Sequence, residues 1–334
     1  MTLAYALQTG DWLVLGAYVL LLLAAGWWFS RREASDTSGY FLAGRSMPGW
    51  AVAFSILATA QSAATFVGVP QKGFGVDFTY LLANVGTIVA SIVVATLFLP
   101  AYYRLNIATP YELLETRFGP GARRAASVWY LVGRMMANGA RVFIGALPVA
   151  MAVFGKTEPD AWQIVLCVLI FMAFGAVFTL GGGVRAAIYS DVLQVAVYLG
   201  AAAVIVYFLL AKVPASPADI AAAVVHPPAN VPAPTFFRLG IGDAKPWHEF
   251  SLLTGLTGLA LLNTAFFAMD QDLTQRLLAC RSSRAAAKSL LSSTVAVGLP
   301  VVTLFLLLGV LLNVYYTRPD VTGAAGGRRA PGEG

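Results

Sequence analysis

Eight apolar runs of bilayer-crossing scale recur along this chain, at about 12 to 30, 49 to 69, 79 to 100, 125 to 154, 162 to 181, 188 to 211, 250 to 270 and 289 to 315. One crossing takes about 20 consecutive apolar residues. Inside hydrocarbon every backbone N–H and C=O must be paired internally, which leaves helices or closed barrels. Uninterrupted runs without strand alternation predict helices, so the expected fold is an all-α integral membrane protein. Composition agrees. Of the 334 residues 58% are hydrophobic and 11% charged, against about 25% charged in a soluble domain. A soluble fold of this size lacks the interior to bury that much apolar surface.

The connections between runs predict an orientation. Those expected on the cytoplasmic side carry Arg31, Arg32, Arg45, Arg104, Arg117, Arg123, Arg124, Arg185, Arg276, Arg281, Arg284 and Lys288, whereas the short connections opposite carry only Lys72 and Lys156. Basic residues in short loops stay inside. The first run has no Lys or Arg before it and the pair Arg31 and Arg32 after it. That predicts a retained anchor with the N-terminus outside rather than a cleaved signal peptide. The segment 212–249 is long, polar and rich in proline, including Pro214, Pro217, Pro227 and Pro228. It reads either as a large external loop or as a boundary between structural repeats. The chain then divides into 1–211, the loop 212–249, a second helical group 250–315 and a polar Gly/Arg-rich tail 316–334.

Several function classes fall away. Cys167 and Cys280 cannot build a disulfide framework. His226 and His248 share one polar loop without acidic or thiol partners at ligand spacing, so no zinc or di-iron site is expected. The net charge of +6 is scattered between apolar segments rather than gathered into a stripe, so no nucleic-acid partner is expected. No His, Cys or carboxylate constellation suited to acid/base or nucleophilic work is visible, which argues against an enzyme.

Four features could carry chemistry. In the second run Ala58, Gln61, Ser62 and Thr65 fall on one helical face. That small, polar face serves either close helix packing or a locally unwound helix whose freed carbonyls bind a cation. Asp191 opens the sixth run beside Gln194, three residues on. An acidic residue inside a span is costly, so it marks either function or a partner such as Arg185. The seventh run ends in Asn263 to Arg276, where Asn263 and Gln271 are candidates for a solute pathway and Asp272, Arg281, Arg284 and Lys288 read as an ordinary helix end. Arg141 sits about mid-depth of the fourth run. It must pair inside the bundle or bind a substrate carboxylate, while Arg134 can snorkel to the interface.

Taken in order, the pieces Tyr40-Phe-Leu-Ala-Gly-Arg45, Ser62-Ala-Ala-Thr-Phe-Val-Gly68, Tyr111-Glu-Leu-Leu-Glu-Thr-Arg-Phe118, Gly139-Ala-Arg-Val-Phe143, Gly181-Gly-Gly with Ser190-Asp-Val-Leu-Gln194, and Asp270-Gln271 with Gln275-Arg276 resemble the sodium/solute symporter family, relatives of the proline, glucose and pantothenate cotransporters. The resemblance implies a LeuT-type inverted-repeat fold, here partial: one extra N-terminal helix followed by core helices 1 to 7. It implies sodium-coupled symport of a small organic solute in a cell membrane, plasma or bacterial inner, with Na+ as coupling ion and no other metal or cofactor. Carried over by motif, the sodium-binding candidates are the carbonyls of Ala58 and Gln61 together with Asp191. The solute-cavity candidates are Ser62, Thr65, Asn263 and Gln271, to which the reading of the fourth run adds Arg141.

The resemblance also implies an eighth core helix, whose hydroxyls complete the family's sodium site and which is absent after the seventh here, so the chain reads as a truncated member. The chain alone is thus expected to hold an incomplete sodium site and to transport poorly. Thr294 to Leu308 lacks the deep polar residue of the sugar-transporting relatives, which favours a carboxylate or amino acid. The alternative function is a transporter-like sensory or assembly module; protein partners stay open.

Overall fold

The structure is a computed structural model describing residues 7–30, 37–180, 183–227, 233–240 and 249–322. The Arg31–Arg32 pair, Gly181 and Gly182, His248 and residues 323–334 of the polar tail fall outside the described residues. The helices used below are α1 Thr9–Ser30, α2 Gly49–Ala60, α3 Ala63–Phe74, α4 Tyr80–Arg104, α5 Glu112–Phe118, α6 Pro120–Phe154, α7 Ala161–Leu180, α8 Gly183–Lys212, α9 Pro217–Val225, α10 Leu252–Met269, α11 Gln271–Leu278, α12 Ser283–Thr317 and α13 Pro319–Thr322. Among the described residues α4, α6, α8, α10 and α12 are each long and apolar enough to cross a membrane, as are α2 and α3 together. The helices α1 and α7 carry shorter apolar stretches. All eight expected runs are helical, in the expected order.

Three local differences from the sequence reading have plain causes. The second run is two helices, bent by 73° across Gln61 and Ser62. The fourth helix starts five residues earlier than apolarity suggests: Gly119 takes φ 82, a left-handed conformation open to glycine, and Pro120 sets the first helical turn. The polar segment 212–249 contains α9, nucleated by a capping box in which the Ser216 hydroxyl accepts from the Asp219 N–H (3.2 Å) and the Asp219 carboxylate accepts from the Ser216 N–H (3.3 Å). The first residues after α12 pack back on the molecule. Arg318 is 3% exposed and donates to the Ala223 carbonyl of α9 at 2.9 Å.

Backbones approach where glycine allows it. A Cβ on Gly73 of α3 would strike the Leu306 carbonyl of α12, and one on Gly309 of α12 would strike the Pro70 carbonyl of α3. A second crossing joins α4 to α10, where a Cβ on Gly86 would meet the Gly255 carbonyl. Packing of this kind replaces the hydrophobic effect, which vanishes between helices in lipid. Side chains fill two main clusters. One, at the basic end, gathers Met47, Val52, Ile56, Leu99, Tyr102, Ile188, Leu273, Leu277 and Leu290. The other centres on Leu57, Val195, Val301 and Phe305 and includes the aromatic triangle of Phe66, Tyr198 and Phe305, with centroids 4.7 to 5.3 Å apart. Most of α6 is exposed, including Trp129, Met135 and Met136, and only Ala146 and Ala150 of it are buried.

Candidate functional site

The break between α2 and α3 has a local cause. Ser62 is extended (φ −151, ψ 174) and its N–H donates to the Thr65 hydroxyl at 3.3 Å, so it caps α3 rather than continuing α2. Gln61 is also extended (φ −80, ψ 154), and its N–H still bonds to the Leu57 carbonyl. The last carbonyls of α2 therefore lose the N–H groups that a continuous helix would bring to them. Beside this break lies a cavity of about 550 Å3. Ala58, Gln61, Ser62 and Phe66 form one wall, Gly145 and Pro148 of α6 another, and Gln194 and Tyr198 of α8 a third, with Tyr18 of α1 at its edge.

Two wall residues carry buried polar atoms without a partner, the Gln61 Oε1 and the Tyr198 hydroxyl. An unsatisfied polar atom in an apolar surrounding costs about 1 to 3 kcal/mol, a cost that a polar guest in the cavity would offset. The donors at the break are oxygens, which suit a hard alkali cation better than a soft transition metal.

A second break, at Asp270 between α10 and α11, is sealed. Its exposed carbonyls are taken by protein hydroxyls: Ala268 accepts from Tyr102 (2.7 Å) and Thr274 (2.9 Å), and Met269 accepts from Tyr111 (3.1 Å). The Asp270 carboxylate itself caps α11, accepting from the N–H groups of Asp272 (3.0 Å) and Leu273 (3.2 Å). Among the described residues the first break borders a cavity, whereas the carbonyls at the second are taken up by protein hydroxyls.

Asp191 shares a face of α8 with the cavity residues Gln194 and Tyr198 but is not part of the lining itself, and its carboxylate is held by Ser55 and Arg276. The Ser55 hydroxyl donates to its Oδ2, and the Arg276 guanidinium stands 3.0 Å from the same oxygen while also donating to the Ser55 hydroxyl at 2.8 Å. Its cationic partner is thus Arg276 of α11, whereas Arg185 bonds to the Ser46 hydroxyl (2.8 Å). Arg134 does not snorkel: it is held by Asp270 at 2.9 Å and by Asp272. Asp272, read from sequence as part of an ordinary helix end, is therefore a member of an ion-pair cluster tying α6 to α11.

The other candidates separate. Thr65 stands on the first turn of α3 as the acceptor for Ser62. Asn263 donates to the Thr87 hydroxyl (3.0 Å) and so faces α4. Gln271 begins α11 with its Oε1 buried and unpartnered. Arg141 is half-buried on α6, one helical turn from the cavity residue Gly145, and makes no ion pair among the described residues. The structure brings Ala58, Gln61 and Ser62 to one cavity and leaves Asp191, Asn263 and Gln271 outside its wall. Sequence reasoning missed Tyr198, though Asp191, Gln194, Val195 and Tyr198 already follow the 3, 4, 7 spacing of one helical face. Nothing local in the sequence pointed to Ser55 or Tyr18.

The described helices form a bundle of membrane-crossing scale, one member of which is broken beside a largely apolar cavity carrying a few polar groups. The chain belongs to the sodium:solute symporter family, whose profile matches residues 40–328. Similar proteins include the sodium/sialic acid symporter NanT of Aliivibrio fischeri, 26% identical over 94% of this chain and 59% of its own length. The human sodium/iodide cotransporter is 27% identical over 94% of this chain and 48% of its own. A solved structure of a Na+-coupled sialic acid symporter in a substrate-bound, outward-open state superposes with a TM-score of 0.77 at 25% identity, covering 92% of this chain and 61% of that one. The fold is of the LeuT type, and members of the family are transporters. The chain spans about half to three-fifths of the length of these relatives.

Proposed function

We propose that this chain forms part of a sodium-coupled secondary active symporter for a small organic solute bearing a carboxylate. The observation that carries the reading is the open break at Gln61 and Ser62, set beside a cavity of about 550 Å3 with unpartnered polar atoms on Gln61 and Tyr198. In this reading the carbonyls of Ala58 and Gln61 ligate Na+, and Asp191 lies on the path by which the ion leaves. Ser62 and Thr65 border the solute, and Arg141, which has no acidic partner among the described residues, takes its carboxylate. Asn263 and Gln271 act from the α10 and α11 side. Ion binding at the break holds the cavity open outward; rocking of the helices then exposes both passengers to the cytoplasm. A membrane potential of 100 mV supplies about 2.3 kcal/mol per charge moved.

The N-terminus is placed outside, in a plasma or bacterial inner membrane, and the segment 212–249 lies outside between two repeats. Relatives named for sialic acid, an acidic sugar, support a solute bearing a carboxylate, and relatives named for glucose make a neutral sugar the second reading, against which the apolar course of α12 weighs. The test is a screen of radiolabelled carboxylates, amino acids and sugars in proteoliposomes, with and without an inward sodium gradient, on this chain and on an extended reading frame containing it. Sodium-dependent uptake of a carboxylate, abolished by Arg141→Ala, is the expected result. If neither polypeptide takes up any solute in a sodium-dependent way, the symporter reading is wrong.

A further inference from the structure

The cavity at the break belongs to the transport reading, but a second concavity does not. A groove of about 370 Å3 lies between the first turns of α2 and α12, lined by Trp50, Ala53 and Phe54 on one side and Lys288, Ser292 and Val297 on the other. The two helices start at the same end of the molecule, because the Met47 N–H donates to the Ala279 carbonyl (3.0 Å) and Met47 bridges Cys280. This is the end where the basic connections gather.

The groove has one cation, Lys288, in a lining that is otherwise apolar or hydroxyl-bearing, with two arginines close before it in the chain. Lys288 stands on the wall, Arg284 precedes it by one helical turn on the same face, and Arg281 lies just before the N-cap Ser282. All three are exposed, and none forms an ion pair among the described residues. From Lys288 to Val297 the wall runs inward by roughly 13 Å at about 1.5 Å per residue, far enough to follow the upper part of an acyl chain. Gly49 keeps the floor low, since a Cβ there would come within 3.0 Å of the Ser289 hydroxyl. Trp50, 58% exposed at the rim, has the amphipathic ring that settles at headgroup depth.

We infer that this groove binds an anionic phospholipid of the adjacent leaflet, with its phosphate among Arg281, Arg284 and Lys288 and one acyl chain along Phe54 and Val297. A soluble phosphate would use the three cations and leave the apolar depth empty; a zwitterionic lipid would fill the depth and leave the cations unpaired. Basic pockets between helices at the cytoplasmic face are suited to such headgroups.

The test is native mass spectrometry of the chain released from nanodiscs of equal phosphatidylglycerol and phosphatidylcholine. The expected result is retained phosphatidylglycerol that glycerol phosphate does not displace. Arg284→Ala with Lys288→Ala should weaken retention about 30-fold, the loss of two cations of the strength basic residues have at an anionic surface. Arg284→Lys with Lys288→Arg should keep it, and so should Arg117→Ala with Arg124→Ala, which removes the same charge from another exposed basic stretch. Equal retention of both lipids by the unsubstituted chain, the same loss in the Arg117 and Arg124 variant, or displacement by glycerol phosphate would each overturn the proposal.

Discussion

Single residues show why charge inside this bundle is bound to be paired. Asp191 and Arg276 are each about one-sixth exposed and share an oxygen-to-nitrogen contact of 3.0 Å, with Ser55 bonded to both. Removing one partner of a buried pair leaves the other charge uncompensated, at a cost of about 3 to 5 kcal/mol. Arg276→Ala should therefore destabilise the protein by that order. Adding Asp191→Asn to it should recover more than half of the loss, read by denaturant titration in detergent. Additive losses in the double variant would show that the pair is not a structural unit. The cysteines allow a second test at this scale. Cys167 and Cys280 are both buried, and burial pushes the Cys280 thiol up. Since the thiolate is the reactive form, a maleimide at neutral pH should label neither thiol in the folded protein and both after denaturation in detergent.

Helices carry the next level of explanation. The α3–α12 and α4–α10 crossings depend on glycines whose missing Cβ admits a facing carbonyl. Gly73→Ala and Gly309→Ala should each destabilise by about 1 to 3 kcal/mol, the usual cost of forcing atoms into a packed interface. Their effects should combine non-additively, because they serve one crossing. Gly139→Ala, at a position with open space around it, should be neutral or slightly stabilising through helix propensity. Equal losses at all three sites would remove the close-approach argument. Sequence reading located the helices well because apolar length is a one-dimensional property. It placed the break only as one of two options, since Ala58, Gln61, Ser62 and Thr65 form the same small polar stripe in a packed helix and in an unwound one. The α9 helix was legible in Ser216-Pro-Ala-Asp219, yet the surrounding prolines made the segment read as loop.

Across the whole molecule the Arg134 cluster joins what sequence keeps far apart. Arg134 on α6 reaches Asp270 and Asp272, and Asp270 in turn caps α11, so the second helical group is tied to the first by charge as well as packing. Arg134→Ala should cost about 3 kcal/mol by stranding Asp270 and should speed proteolysis near residue 270. A cleavage rate equal to that of the unsubstituted chain would show that the cluster holds nothing.

The sequence by itself determined the medium, the order of the apolar helical runs, and the family, because bilayer thickness and ordered motifs are written along the chain. Only the tertiary structure decided which of two interrupted helices is open, which carboxylate meets which arginine, and that Gln61, Gln194 and Tyr198 share one cavity. Those facts depend on partners tens to hundreds of residues away. Whether a freed carbonyl meets a tyrosine hydroxyl or an empty space is set by packing between helices, which no local pattern records.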